Sequence, residues 1–143
     1  MLKVKKLHEN AVIPDYQTEG AAGMDLVATD IKWDNEIQCW IYSTGIAVEI
    51  PVGCEGQVRS RSSIRKYDLI LANGVGTIDS DYRGEIIVSF KELPSTNDSP
   101  KVYEIGDRIA QLVISPVKKF HPYVVEELSN TERGEGSHGS TGT

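Results

Sequence analysis

Chemistry is concentrated in a segment near the middle of the chain, where a carboxylate and an aromatic ring stand between glycines. The segment runs from Asn73 to Gly84 and contains Asp79 and Tyr82. Glycines let a ligand approach the backbone closely, and an aspartate carboxylate can take a proton from an attacking water. We therefore expect Asp79 to lie at the edge of a hairpin and to point into a cleft. The alternative interpretation is a solvated turn, in which Asp and Gly supply only turn geometry.

A second set of residues is suited to holding an anion. Arg61, Ser62 and Ser63 offer a guanidinium, two hydroxyls and the N–H groups of a helix start, which together fit phosphate oxygens. A short helix is predicted from Ser62 to Asp68 with hydroxyl N-caps, and without a ligand the same residues would be an ordinary capped turn. Arg133, followed by glycines and hydroxyls, has the composition of a flexible clamp that orders on an anion; its alternative is a disordered terminus.

Composition limits the other kinds of chemistry. The chain has 143 residues and is 39% hydrophobic, which is enough for one domain with one modest core. Its net charge of -6 disfavours direct binding to nucleic acids. The sequence contains no P-loop, no His-Glu-x-x-His motif and no Cys/His cluster with zinc spacing, so P-loop and zinc mechanisms are not expected. Separated Cys39 and Cys54, and the lack of a long apolar run from Met1 to Glu9, predict an intracellular, cytoplasmic protein with free thiols and no membrane contact.

The elements that must position these residues are predicted to be strands. Apolar residues alternate over short runs, and turn residues separate the runs at intervals typical of an all-β sandwich or barrel with no long helix. From Ser129 onward the sequence loses its apolar residues and cannot bury enough surface to fold alone. We predict a β-barrel domain at residues 1–128 and a flexible tail at 129–143, about 50 Å long when extended and able to reach a neighbouring subunit. The alternating runs are Ile46, Val48 and Ile50, then Ile86, Val88 and Phe90, and finally Ala110, Leu112 and Ile114.

Taken in order, five segments resemble the five motifs of the homotrimeric dUTPase family. The third and fourth are the most specific, and the order and spacing extend over nearly the whole chain. The five segments are Ala22–Leu26, Arg61–Ser63, Gly76–Gly84, Gly106–Leu112 and Arg133–Gly142.

The resemblance implies a distorted β-barrel or jelly roll that assembles as a homotrimer, with each active site built from motifs of different subunits and closed by a C-terminal tail. It implies Mg²⁺-assisted hydrolysis of dUTP to dUMP and pyrophosphate, which limits uracil incorporation into DNA and supplies dUMP for dTMP synthesis. Asp79 would orient and deprotonate the attacking water, with Gln111 as a second catalytic residue. Tyr82 would pack against the deoxyribose and leave no room for a 2′-hydroxyl.

By the same resemblance, the uracil is read largely through backbone groups. A narrow backbone-lined slot excludes the thymine methyl more sharply than an apolar pocket, which discriminates one methyl by only about 1–3 kcal/mol. Asp25 either positions the water shell of a Mg²⁺ held mainly by the substrate phosphates, or is a buried carboxylate that accepts hydrogen bonds. The residues implied for uracil and deoxyribose are Asn73, Gly74, Val75, Gly76, Thr77, Ile78, Asp79, Tyr82 and His138; those implied for the phosphates are Arg61, Ser62, Ser63, Gln111, Arg133, Ser140 and Thr141.

Three places depart from the family's pattern. His138 stands in the tail where the family usually carries a Phe that stacks over uracil. We expect a weaker lid, and a substrate affinity that falls when His138 is protonated, so that His138→Phe removes the pH dependence of the Michaelis constant. Ser60 replaces the usual Pro before Arg61, and Lys91 to Leu93 replaces a segment that often contains Asn. Neither change removes a group assigned to the chemistry.

Two other functions compete with this interpretation. The dCTP deaminases share the fold and an Arg-Ser-Ser segment, but the stretch from Ile78 to Tyr82 favours a dUTPase. A nucleotide-sensing module that keeps the pocket and has lost turnover is the rival from a different class, and Asp79 and Arg133 argue against it. Release of ammonia from dCTP would identify a deaminase, whereas tight dUTP binding without pyrophosphate release would identify a sensor.

Overall fold

The computed structural model describes residues 1–95 and 99–137 of the chain. Within these residues the regular structure is almost entirely β, as the alternating apolar runs predict, and its single helix is one short 3-10 turn. The all-β prediction is therefore confirmed. The strands are β1 (Lys3–Lys6), β2 (Met24–Val27), β3 (Asp30–Asp34), β4 (Cys39–Glu49), β5 (Cys54–Ser60), β6 (Leu69–Leu71), β7 (Gly76–Ile78), β8 (Glu85–Glu92) and β9 (Arg108–Pro116), and the 3-10 helix spans Ser62–Lys66.

The strands form two antiparallel sheets, the arrangement of a jelly roll. The larger sheet has the order β1-β4-β8-β6, and the long strand β4 pairs with β3 through its first half and with β1 through its second half. The smaller sheet has the order β2-β9-β5-β7. The motif segments that begin at Ala22, Arg61, Gly76 and Gly106 all include or directly adjoin strands of this smaller sheet.

One buried cluster draws its side chains from both sheets. Ile46, Ile86 and Leu112 are each at most 1% exposed, so the predicted inward positions of β4, β8 and β9 do form the core. Aromatic rings fill the space near the 3-10 helix, where the Tyr42 hydroxyl donates a hydrogen bond to the backbone oxygen of Tyr103 at 3.0 Å. The alternating runs thus predicted the buried face of each strand correctly, with Ile114 only partly buried at the end of its run.

A bulge in β4 depends on glycine. The pairing of β4 with β8 shifts register between Ser43 and Ala47, and Gly45 inside the bulge has a φ of +66°. An added Cβ there would lie 2.8 Å from the Cβ of His8. The Gly45 N–H is bound by the Glu85 carboxylate at 2.7 Å, which ties the start of β8 to the bulge. Glycine is therefore required here both for its backbone conformation and for space.

The segment that carries Asn73 and Asp79 crosses between the two sheets. β6, before it, pairs with β8 in the larger sheet, whereas β7 pairs with β5 in the smaller one. The prediction that these residues form a hairpin is therefore wrong in its pairing. The reason is that Leu69 and Leu71 are buried in the core beneath the larger sheet, which separates β6 from β7 across the sandwich.

After β9 ends at Pro116, residues 117–137 contain no helix or strand in the part of the chain that the structure describes. Several apolar side chains in this arm are exposed, among them Phe120 at 75%, Tyr123 at 84% and Val124 at 99%. The regular domain thus ends before residue 128, where the domain boundary is predicted, and that boundary stays a prediction. Among the described residues, no helix is long and apolar enough to cross a membrane.

Candidate active site

Asp25 is the centre of a polar cluster on the smaller sheet. It is 5% exposed, and its carboxylate accepts hydrogen bonds from three side chains. Arg61 donates from Nε at 2.9 Å, Arg108 from Nη1 at 3.2 Å and Gln111 from Nε2 at 3.3 Å. Both carboxylate oxygens are engaged, so the described contacts match the interpretation of Asp25 as a buried, hydrogen-bonded carboxylate.

The strand order explains why residues so distant in sequence meet. Asp25 of β2 lies opposite Gln111 of β9, which in turn lies opposite Arg59 of β5. Paired residues on neighbouring strands share one face of a sheet. Arg61 follows the end of β5 in an extended conformation, with φ of -76° and ψ of 155°, and so reaches back to Asp25. Three of the five motif segments therefore converge, two of them through antiparallel pairing and the third through the extended residue that follows β5.

Arg108 also belongs to this cluster, although neither its residue type nor the motif resemblance predicted a role for it. Its side chain is 52% exposed, whereas that of Arg61 is 22% exposed. Two guanidinium groups thus face one carboxylate, which leaves a local excess of positive charge on a chain whose net charge is -6. Residue type and spacing carry no signal for this role, because it depends on the register that places Arg108 opposite Val27, two residues from Asp25.

The loop after β5 forms the predicted short helix, but without the predicted cap. The 3-10 helix Ser62–Lys66 begins after Arg61, and no side-chain hydrogen bond caps its N-terminus. The Ser63 hydroxyl instead accepts a hydrogen bond from Nη1 of Arg61 at 3.3 Å. The prediction of a hydroxyl N-cap is therefore wrong. The Ser63 oxygen instead orients the Arg61 guanidinium, and Ser62 is exposed.

Tyrosine rings pack beneath this loop. The Tyr67 and Tyr103 ring centroids are 3.9 Å apart, and burial raises the pKa of both phenols. Ser63 acts on Tyr103 in the opposite direction and lowers its pKa, yet among the described residues the Tyr103 hydroxyl has no partner in hydrogen-bond geometry. Ser63 thus lies near the Tyr103 hydroxyl without making a full hydrogen bond to it.

The residues expected to read uracil lie in the turn before β7 and in β7 itself. Gly74 has a φ of +67°, which suits the tight turn, and Asn73, Val75 and Thr77 are exposed. Gly76 is buried, and an added Cβ there would lie 3.1 Å from Nδ2 of Asn73. This glycine therefore lets the Asn73 side chain pack against the backbone. Ile78, the last residue of β7, is partly buried against the core.

Asp79 and Tyr82 occupy a turn that follows β7. Asp79 is exposed, and its backbone oxygen accepts a hydrogen bond from the Tyr82 N–H at 3.1 Å. Tyr82 is 44% exposed, and its hydroxyl donates to the backbone oxygen of Glu85 at 3.1 Å. Arg83 braces the same turn through the backbone oxygens of Ser80 and Tyr82, at 2.7 and 2.8 Å. The turn is thus ordered by its own hydrogen bonds, with the carboxylate of Asp79 on the surface.

Within one chain, Asp79 and the Asp25 cluster are far apart along the sheet. Ile78 lies opposite Gly56 of β5, whereas the row of Asp25 and Gln111 lies at Arg59. Three positions along a strand correspond to about 10 Å. Asp79 continues beyond Ile78 in the opposite direction, so the distance is greater still. The structure therefore brings Asp25, Arg61, Ser63 and Gln111 together and leaves Asp79 outside that group.

The tail contributes one described site residue. Arg133 is exposed, and its Nε donates to the backbone oxygen of Gly136 at 3.0 Å, within the arm itself. Its predicted contact with a phosphate remains a prediction. His138, Ser140 and Thr141 lie outside the described residues. In residues 1–95 and 99–137, no group of three or more His, Cys, Asp and Glu side chains is placed to hold a metal ion.

Known proteins resemble this chain over nearly its whole length. The family model described as dUTPase matches residues 9–142. A deoxyuridine 5′-triphosphate nucleotidohydrolase from a Hydrogenobaculum species is 46% identical, over 99% of this chain and 97% of that protein. The dUTPase of Staphylococcus bacteriophage 80alpha, solved with dUpNHpp, is 27% identical with a TM-score of 0.80, over 100% of this chain and 99% of that one. A variant dUTPase from phage phi11 of S. aureus, described with a structural Mg(II) ion, is 26% identical with a TM-score of 0.74, over 89% of this chain and 97% of that one.

Proposed function

The chain belongs to the dUTPase family of nucleotidohydrolases, and on that premise we propose that it converts dUTP to dUMP and pyrophosphate by attack of water at the α-phosphate. This reaction removes dUTP before it enters DNA and provides dUMP for dTMP synthesis. It needs a base, a group that neutralises phosphate charge, and in-line placement of the water. The described residues offer candidates for the base and for the group that neutralises phosphate charge.

The observation that carries the proposal is the cluster around Asp25. One carboxylate fixes Arg61, Arg108 and Gln111 in a single group. A guanidinium has five N–H donors in a rigid fork. Arg61 uses one N–H from each of its three nitrogens to contact Asp25 and Ser63, which leaves two N–H groups for another acceptor. Preorganised donors with excess positive charge are suited to phosphate oxygens, because they need no reorganisation when the substrate binds. Arg61, Ser62, Ser63 and Gln111 are thus proposed to bind the phosphates.

Asp79 is the proposed base, and Tyr82 the proposed contact for the deoxyribose. Asp79 is exposed at a turn, where its carboxylate is accessible to water. The backbone from Asn73 to Ile78 is proposed to read uracil through its N–H and carbonyl groups. The phage 80alpha enzyme was solved with dUpNHpp, which supports a deoxyuridine triphosphate as the ligand of this family member as well.

The distance between these two groups supports a site shared between subunits. Because Asp79 is more than about 10 Å along the sheet from the Asp25 row, one chain does not assemble base and phosphate clamp in one place. We propose a homotrimer in which Asp79 of one subunit meets the Asp25 cluster of a neighbour, with the arm beyond Pro116 crossing the surface and Arg133 closing the phosphate end. The exposed Phe120 and Tyr123 of the arm support an interface there.

Magnesium is proposed to be held mainly by the substrate phosphates and by water. The described residues supply no dedicated cage of carboxylates, and both oxygens of Asp25 are occupied by Arg and Gln donors. This fits Mg²⁺, which keeps several waters and often binds through phosphates. When bound, the ion would neutralise charge on the triphosphate. The protein's own contribution to the reaction would then come from Arg61, Arg108, Gln111 and the proposed base Asp79.

The test is pyrophosphate release from dUTP, dTTP, dCTP and UTP at fixed Mg²⁺. We expect release from dUTP alone, and a loss of about 10²–10⁴-fold in kcat for Asp79→Asn, because the amide cannot accept the proton. The matched control is Asp81→Asn, which removes the same charge from an exposed neighbour two residues away. Unchanged turnover in Asp79→Asn would reject Asp79 as the base, and ammonia from dCTP would reject the proposed reaction.

A further inference from the structure

We propose that Gly84 is a specificity-determining position, because together with the backbone oxygen of Glu85 it forms a seat that holds the Tyr82 ring in place against the sugar. This inference rests on the proposed function, in which Tyr82 separates deoxyribose from ribose. It adds that the selectivity is set by a residue with no side chain. Gly84 itself is a positioning residue, since it acts on the substrate only through Tyr82.

The Tyr82 ring leaves no space for a side chain at Gly84. A Cβ added to this residue would overlap the Tyr82 hydroxyl oxygen and would lie 2.5 Å from Cζ and 3.0 Å from Cε2 of the same ring. Real Cβ atoms do not approach other atoms so closely, so the ring lies directly on the glycine backbone. The edge that bears the hydroxyl is the part in contact, and no side chain larger than hydrogen fits beneath it.

A hydrogen bond fixes the ring on this seat. The Tyr82 hydroxyl donates to the backbone oxygen of Glu85 at 3.1 Å. Glu85 is itself anchored, because its carboxylate binds the N–H of Gly45 at 2.7 Å and its backbone is paired with Ala47. The seat therefore belongs to β8 and the larger sheet rather than to a loose loop. Tyr82 as a whole residue is 44% exposed, so part of its surface stays available to a sugar.

The same turn relates the ring to the proposed base. The Tyr82 N–H binds the backbone oxygen of Asp79 at 3.1 Å, so both residues are held in one hydrogen-bonded turn. A ring fixed in this way presents a rigid wall to the 2′ position, and rigid overlap discriminates more sharply than a wall that can yield. If the ring is lifted from its seat, the wall moves and a ribose can enter.

The test is the ratio of kcat/KM for dUTP to kcat/KM for UTP. We expect Gly84→Ala to lower this ratio at least about tenfold, and Tyr82→Phe, which keeps the ring and loses the tether to Glu85, to lower it less. The matched control is Gly20→Ala, where an added Cβ has nothing within 4 Å and the ratio should not change. An unchanged ratio in a folded Gly84→Ala would overturn the inference, and an unchanged ratio in Tyr82→Phe would overturn the part assigned to the tether.

A double-mutant cycle separates this role from a general structural one. In a Tyr82→Ala background, Gly84→Ala should have no further effect on the ratio, because the ring through which it acts is gone. An equal loss in both backgrounds would contradict the inference. If Gly84→Ala alone does not fold, the double variant decides: it should fold because the overlapping ring is gone, and a double variant that also fails to fold would overturn the inference. Failure of the proposed function would look different: the wild-type protein itself would not hydrolyse dUTP in preference to UTP.

Discussion

The Asp25 cluster allows the two interpretations of this carboxylate to be separated by one substitution, Asp25→Asn. The change keeps the shape of the side chain and one oxygen acceptor but removes the charge. Arg61 is 22% exposed and Asp25 5%, so their hydrogen bond is largely shielded from water, whereas the Arg108 side chain is 52% exposed. The loss should therefore come mainly from the Arg61 pair.

The expected magnitude follows from these burial values. Hydrogen bonds to charged groups contribute about 1.5–3 kcal/mol, toward the upper end when both partners are charged and toward the lower end for the Arg61–Asn pair that remains. The exposed Arg108 pair adds roughly 0–1 kcal/mol. Together these values predict a decrease of about 1.5–2.5 kcal/mol in the free energy of unfolding. For a chain of this size that corresponds to a fall in Tm of roughly 5–8 °C.

The assay is thermal unfolding at fixed protein concentration, without nucleotide and with a chelator present, followed by the Mg²⁺ dependence of pyrophosphate release. Fixed concentration matters because unfolding of an oligomer depends on it. Asp30→Asn, at an exposed position on β3, is the matched control for the loss of one charge. An unchanged Tm in Asp25→Asn, combined with a higher Mg²⁺ requirement, would refute the reasoning and identify Asp25 as a residue that acts through the metal.

Two further predictions concern the tyrosines near the 3-10 helix. Tyr103→Phe should raise Tm by up to a few degrees, because a buried hydroxyl without an aligned partner costs about 1–3 kcal/mol; a clear fall in Tm would mean that the hydroxyl does have a partner. Burial raises the pKa of Tyr42, Tyr67 and Tyr103 above the ordinary value of 10.0, so their contribution to stability is complete below about pH 10 and is lost as the pH rises above it. The last part of the tyrosinate absorbance change, which reports these three phenols, should therefore coincide with loss of the native circular dichroism, and ionisation of all six tyrosines with native circular dichroism would contradict this.

Much of the fold was predictable because strand burial has a period of two. The inward positions Ile46, Val88 and Leu112 are in the core as expected. Pairing between distant strands has no such local signal. The turn residues between β6 and β7 suggested a hairpin, yet Leu71 and Gly76 belong to different sheets, because burial of β6 decides its partner.

The candidate site was predicted only in part. Arg61 and Gln111 were identified from motif resemblance, and antiparallel register then explains their contact with Asp25. Arg108 and Gly84 were not identified. The role of Arg108 depends on which strand lies opposite it, and the role of Gly84 depends on a ring that folds back over it. Both are three-dimensional relations that residue type and spacing do not contain.

The chain crosses from the larger sheet to the smaller one after β6 and returns before β8, and this path has a mechanical consequence. The segment from Leu71 to Glu85 is attached to the larger sheet at both ends and to the smaller sheet in its middle, where Gly76 pairs with Val58. Any sliding of one sheet over the other must therefore stretch or compress this segment. Because packed interiors have low compressibility and transmit strain, the shape of the proposed uracil-binding segment depends on how well the two sheets pack together. Under the proposed function, a cavity-forming substitution in the core would weaken base selectivity without changing any residue proposed to contact the ligand.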